Sequence, residues 1–222
     1  AFTKILNSAG VNFAVLGDKE TCTGDSARRT GNEYLFTMMA EANVENLNKA
    51  KVKKIVTTCP HCFNTLKNEY PDLGGEYEVI QHTQLLRDLI REGKISLNGG
   101  SIAGKKITFH DPCYLGRHNQ LYEDPRRVLD AIPGLTRVEM SRSGDRSFCC
   151  GGGGLMLFYE PEEEQRMGVL RVDMAAKAGA NVIVTACPFC LVNIEDAIKV
   201  AGLEGKMEAI DLCELVAQHL AA

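Results

Sequence analysis

Two kinds of hydrophobic pattern alternate along the chain. Short runs rich in β-branched and aromatic residues occur at Phe13–Leu16, Ile55–Thr58, Tyr77–Ile80, Ile107–His110, Arg137–Met140, Val182–Thr185 and Met207–Ile210, and they read as strands. Amphipathic, helix-like stretches cover Asn32–Ala50, Thr83–Glu92, Pro125–Ala131, Pro161–Ala178, Phe189–Val200 and Leu212–His219. Strands alternating with helices predict an α/β fold with parallel sheets built from βαβ units. Ligands of such sheets sit beyond the carboxyl ends of the strands. No uncharged apolar run approaches the roughly 18 residues a membrane helix needs. The opening AFTKILNSAG carries no apolar signal region and no cleavage site, so a cytoplasmic location is expected.

The pattern repeats. Residues 53–62 read KKIVTTCPHC and residues 181–190 read NVIVTACPFC, an offset of 128. The same offset carries Cys22 onto Cys150 and Gly24 onto Gly152. A shared offset at two separated places predicts an internal duplication. It implies two Rossmann-like lobes related by approximate twofold symmetry, residues 1–99 and 104–222, divided at Gly99-Gly100-Ser101 and Gly104.

Charge and cysteine content narrow the chemistry. A net charge of −4 over 222 residues gives no electrostatic reason to expect nucleic acid as a partner. The nine cysteines are an odd number without a secretion signal, which argues for a metal or redox site over a disulfide framework. Strand Ile55–Thr58 runs into Cys59-Pro60-His61-Cys62, Val182–Thr185 runs into Cys187-Pro188-Phe189-Cys190, and Cys113 follows the strand ending at His110. Each proline suits the first position of a helix, so each Cys-Pro-x-Cys should mark a strand-to-helix turn. Two thiols three residues apart then face one way, and the helix N-terminus favours thiolate.

The second lobe offers five candidate ligands, Cys113, Cys149, Cys150, Cys187 and Cys190, and the first offers Cys22, Cys59 and Cys62. Structural zinc takes four ligands, and neither count matches. Cys149 and Cys150 run into Gly151-Gly152-Gly153-Gly154, which suits backbone amides approaching the sulfurs of a bulky inorganic core. Gly151 and Gly152 are therefore candidate cofactor contacts, and iron–sulfur is preferred to zinc. Carrying the Cys113–Cys150 spacing back from Cys22 leads upstream of Ala1, so the first lobe is expected to lack its first ligand here.

Other residues admit two readings. His61 either supports the ligands beside it or faces solvent from the first helical turn. His110 either hydrogen-bonds a sulfur, protonates a substrate, or is structural. Arg28-Arg29 and Arg117-His118 either place positive charge beside an anionic cluster, dock a partner, or are solvated. Tyr114 and Phe189 either shield a cluster or simply pack. Cys213, with Leu85 as its counterpart at the same offset, reads as a buried apolar residue. The acidic run Glu160–Glu164 reads as a helix start.

The series Cys113, Cys149-Cys150-Gly151 and Cys187-Pro188-Phe189-Cys190, in register with Cys22-Thr23-Gly24 and Cys59-Pro60-His61-Cys62, resembles the cysteine-rich (CCG) domain pair of heterodisulfide reductase subunits and many iron–sulfur oxidoreductases. The resemblance covers essentially the whole chain. It implies a noncubane [4Fe-4S] cluster on the five second-lobe cysteines and a second iron–sulfur cluster in the first lobe. Where the family has Cys-Cys-Gly, the first lobe has Thr21-Cys22-Thr23-Gly24, which suits a conventional cubane. Residues Glu20–Asp25 and Arg28-Arg29 look closer to large membrane-associated oxidoreductases. That implies electron relay between a flavoprotein or ferredoxin-type partner and a quinone, by the C-terminal module of a longer protein peripheral to the inner face of the membrane. Disulfide–thiol catalysis and a non-redox zinc module remain the alternatives.

Overall fold

A computed structural model of the chain describes residues 1–102, 104–153, 156 and 166–221. In its first part, α1 (Phe2–Ser8), α2 (Asp25–Arg29) and α3 (Glu33–Lys49) precede β1 (Lys54–Thr57), α4 (Pro60–Asn68), β2 (Glu78–Gln81) and α5 (His82–Arg91). Then follow β3 (Lys106–His110), α6 (Glu123–Asp130), β4 (Thr136–Arg137) and α7 (Met167–Lys177). The chain closes with β5 (Val182–Thr185), α8 (Pro188–Val200), β6 (Glu208–Asp211) and α9 (Leu212–Gln218). Strands β1 and β2 form one sheet, and β4-β3-β5-β6 form another. Every pairing is parallel, with helices between the strands, so the fold is α/β.

Local sequence accounts for these elements. Strand β5 reads VIVT with all four residues buried, the signature of an inner parallel strand. Gln81 caps α5 by accepting from Thr83 N, while Gln84 returns a bond to the cap's own backbone. Asp211 caps α9 in the same way through Cys213 N. Buried apolar residues of α3, including Phe36, Ala40 and Val44, pack on Phe63 and Leu66 of α4. The apolar side chains of α1 and α5 go elsewhere: Ile5, Leu86 and Leu89 join Ile107, Phe109, Leu129, Val184 and Leu215 in one cluster. An ion pair between Arg87 and Asp124, at 2.5 Å, fastens α5 to α6.

Several sequence expectations change. Residues 13–16 form no strand; Phe13 and Val15 are exposed, and the segment has no pairing partner among the described residues. The strand expected over Arg137–Met140 shortens to Thr136–Arg137, with one further bond from Val138 N to Ile107 O. Helix α6 starts at Glu123, ahead of Pro125, because a proline in the first turn forfeits no intrahelical bond. Helix α7 begins at Met167; residues 161–165 of the expected helix, the run Glu160–Glu164 and Gly154 lie outside the described residues. The connection before β6 is two residues longer than that before β2, so the caps Gln81 and Asp211 set Cys213 opposite Thr83 and not Leu85.

Asp211 offers a stability test. Burial raises its pKa from 3.8 to about 6. A raised carboxyl pKa means that the ionised form costs stability: nothing below pH 3.8, and the full amount above about pH 6. Asparagine keeps the helix cap without the charge. Asp211→Asn is therefore expected to raise stability by on the order of 2 kcal/mol at pH 8 and to change it little at pH 4. Urea unfolding at the two pH values checks this.

Candidate metal centres

The register of the four-stranded sheet assembles the second-lobe site. Strands β3 and β5 are neighbours, with His110 opposite Thr185, so the segments leaving both carboxyl ends emerge side by side. Beyond β5, Cys187 is the extended N-cap of α8, Pro188 is the first helical residue and Cys190 follows in the first turn. Beyond β3, Asp111-Pro112 leads to Cys113. The Asp111 carboxylate fixes this exit: it receives Arg126 at 2.6 and 3.0 Å and Gly144 N at 2.9 Å. Asn193 on α8 donates to Cys150 O, which brings the third segment in.

The five thiols predicted for this lobe form one connected set. Cys150 Sγ lies 3.3 Å from Cys190 Sγ. Cys113 and Cys149, Cys149 and Cys150, and Cys187 and Cys190 each lie close enough to shift one another's ionisation. All nine cysteines are free. Gly151 N and Gly152 N each donate to a sulfur, Cys149 Sγ and Cys150 Sγ, at 3.3 Å. Gly151 has φ +89°, and a Cβ there would meet Met167 Cβ at 2.9 Å, so glycine is required. The thiols of Cys113 and Cys149 share a proton unequally: each acts on the other to push Cys113 up and Cys149 down. Burial opposes the Cys187 thiolate, yet the neighbouring Cys190 and His61 bring its pKa to about 5.

Two further groups close on the sulfurs. His110 is wholly buried, and a ring nitrogen lies within 4.8 Å of the Cys150 and Cys190 sulfurs. Its Nδ1 accepts from Arg171 Nε at 3.0 Å. Arg171 is the residue that sequence reasoning missed. The available signal was a charge on the stripe of α7 that also buries Gly168, Val172 and Ala175. Converging thiols, amide donors and a buried cation suit an anionic iron–sulfide core, whose sulfurs take hydrogen bonds.

Around the first Cys-Pro-x-Cys, Cys59 is the extended N-cap of α4, with its thiol near that of Cys62. The Cys59 thiol is the main cause lowering the Cys62 pKa to about 7, with help from Thr23 Oγ1 at 3.6 Å. Cys22 is exposed and accepts from Gly24 N at 3.4 Å. His61 does not face solvent, being 7% exposed. Its Nδ1 lies 2.8 Å from Asp25 Oδ2, and it sits close enough to the Cys187 thiol for each to shift the other's ionisation. Burial works against its charge, but these two partners raise its pKa to about 9. The ring stacks on Tyr114 at 4.1 Å and meets Phe189 edge-on at 5.1 Å; Tyr114 in turn stacks on His118. Arg28 and Arg29 are committed to Glu69, Glu33 and Asp25, so they brace α2. Arg117 donates to Ser147 O.

His82, Asp211 and Cys213 also bring ligand atoms within 4.8 Å of one another. This group stops one short of a tetrahedral set, and Asp211 Oδ1 already caps α9. Cys213, 3% exposed, is a buried residue of the apolar core, as its sequence context suggested.

Residues 1–67 and 107–195 match the cysteine-rich domain family, CCG. The chain is 46% identical over 220 residues to a Bacillus subtilis protein named "Probable iron-sulfur-binding oxidoreductase FadF", covering 99% of this chain and 31% of the relative. It is 43% identical over 223 residues to the EtfAB:quinone oxidoreductase of Syntrophomonas wolfei, covering 97% and 31%. It is 39% identical over 226 residues to a component of the dihydromethanophenazine:CoB–CoM heterodisulfide reductase of Methanosarcina barkeri, covering 99% and 54%. The chain thus spans between 31% and 54% of the length of these relatives. With matches over both cysteine-bearing segments, the chain belongs to the cysteine-rich domain family.

Proposed function

We propose that the chain is the cluster-bearing module of a larger iron–sulfur oxidoreductase, relaying electrons between a flavoprotein or ferredoxin-type partner and a quinone or other acceptor. The observation that carries this is the approach of Cys150 Sγ to Cys190 Sγ at 3.3 Å, with Cys113, Cys149 and Cys187 beside them on the segments that leave β3 and β5 and the loop before α7. Cys113, Cys149, Cys150, Cys187 and Cys190 would hold one [4Fe-4S] cluster of noncubane type. Cys22, Cys59 and Cys62 would hold part of a second, whose remaining ligand lies outside these residues. Residues 1–99 and 104–222 would be the two cysteine-rich lobes. The relatives named for quinone and for iron–sulfur chemistry support the direction of the reading.

A bound iron–sulfur cluster supplies one-electron exchange. The chain's own residues hold and insulate it. The amides of Gly151 and Gly152 offset thiolate charge, and His61, steadied by Asp25, does so at Cys187 from the other lobe. Apolar neighbours of Cys150, Cys187 and Cys190, such as Ile183 and Ile194, exclude water. Among the described residues no helix is long and apolar enough to cross a membrane, so membrane contact would come through another domain or another protein.

A second reading, disulfide–thiol catalysis, is favoured by the relative that is a component of a heterodisulfide reductase. Iron and sulfide analysis with electron paramagnetic resonance of anaerobically purified protein tests both. About four irons or more per chain and a signal on reduction or oxidation are expected. Zinc without iron would overturn both readings. Reduction by a flavoprotein without disulfide turnover supports relay, and reoxidation by a mixed disulfide supports the second.

A further inference from the structure

We propose that Arg171 is a positioning residue that makes His110 a hydrogen-bond donor to the second-lobe sulfurs, while its own charge favours the more reduced state of the cluster. The inference rests on the iron–sulfur reading above.

Arg171 is 0% exposed, a rare situation for arginine unless it is paired. Its donors reach Arg142 O at 2.6 Å, His110 Nδ1 at 3.0 Å and Met174 Sδ at 3.8 Å. One guanidinium nitrogen, Nη2, has no hydrogen-bond partner among the described residues. Among the described residues no carboxylate lies within 4.0 Å of Arg171, and Asp111, an acid that acts on it, is already held by Arg126. Burial lowers the Arg171 pKa to about 10, so it is cationic at neutral pH. The other groups acting on it include Glu139, already bonded to Arg126, and the sulfurs of Cys150 and Cys190, which burial and their thiol neighbours keep protonated until a metal takes the proton's place. A buried cation left uncompensated by carboxylate is costly, and an anionic iron–sulfide core removes that cost.

The same contact fixes a tautomer. A guanidinium only donates, so His110 Nδ1 must accept and the neutral ring carries its proton on Nε2. Nε2 is buried with no hydrogen-bond partner among the described residues. A nitrogen bearing a proton cannot ligate metal, so His110 stands beside Cys150 and Cys190 as a donor and not as a ligand. Hydrogen bonds to cluster sulfurs and nearby positive charge both favour the added electron.

The test is a potentiometric titration of the holoprotein followed by electron paramagnetic resonance, with histidine labelled by ¹⁵N. Arg171→Gln, which can still donate to His110, is expected to keep its iron and to be at least tenfold less reduced at a fixed potential, a fall of about 59 mV for one electron. Arg171→Lys, which keeps the charge, should restore most of that difference. The wild type should show a weakly coupled histidine nitrogen that disappears in His110→Gln. An unchanged potential in Arg171→Gln overturns the proposal. So does a nitrogen coupling of direct-ligand size, or none, in the wild type, and this decides the matter if Arg171→Gln fails to load iron. Wild-type protein without iron would instead defeat the underlying reading.

Discussion

Cys190→Ser is expected to lose most of the iron bound in the second lobe, whereas Cys213→Ser keeps all of it. Both cysteines are buried, at 2% and 3% exposure, so burial alone does not separate them. What separates them is company. Cys190 Sγ is 3.3 Å from Cys150 Sγ and sits in the first turn of a helix whose N-cap is another thiol, Cys187. Cys213 has no second thiol beside it; its neighbours are His82 and Asp211. Serine at 190 substitutes a shorter, harder oxygen where a soft sulfur must reach iron. Serine at 213 removes only a small buried hydrophobe, with a modest loss of stability. Colorimetric iron and sulfide determination, with visible absorption, reads the difference. Equal iron loss in both variants would mean that the five-thiol set is not the binding site.

The sequence carried this distinction because a thiol's chemistry depends on its local setting. Cys-Pro-x-Cys after a β-rich run places two thiols at a strand-to-helix turn wherever the chain folds as α/β, and both copies do so. The glycines after Cys150 were equally legible, since only glycine tolerates φ +89° at Gly151 with Met167 so close. Contacts between distant segments were not. His61 could be placed beside ligands, but Asp25 and Cys187, which determine what it does, come from remote parts of the chain. Arg171 was invisible for the same reason: a helix pattern shows that it faces inward, not that His110 waits there. The segment 13–16 misled because a short apolar run carries no information about whether a partner strand exists; Val15 is 76% exposed. The repeat offset also drifted, since two residues inserted before β6 shift Cys213 without disturbing any pattern within α9.

Arg126→Ala should be the most destabilising change outside the thiols themselves, costing about 3–5 kcal/mol. Arg126 makes a two-pronged bond to Asp111 at 2.6 and 3.0 Å and another to Glu139 at 2.8 and 3.0 Å. The two carboxylates are not equivalent. The side chain of Glu139 is 38% exposed, so water can replace its partner and the pair is worth little. That of Asp111 is 2% exposed, and without Arg126 its charge retains, among the described residues, only the amide of Gly144 as a close donor. The cost therefore comes from stranding a buried charge more than from losing a contact. Asp111→Asn in the Arg126→Ala background should then recover part of the loss, because a neutral amide is cheaper to leave unpaired. A purely steric role for Arg126 predicts no recovery. Urea unfolding of the two single variants and the double variant distinguishes them. Because Asp111 directly precedes Pro112-Cys113, the same variants should also loosen the approach of Cys113 to Cys149, linking the stability of the strand end to the assembly of the thiol set.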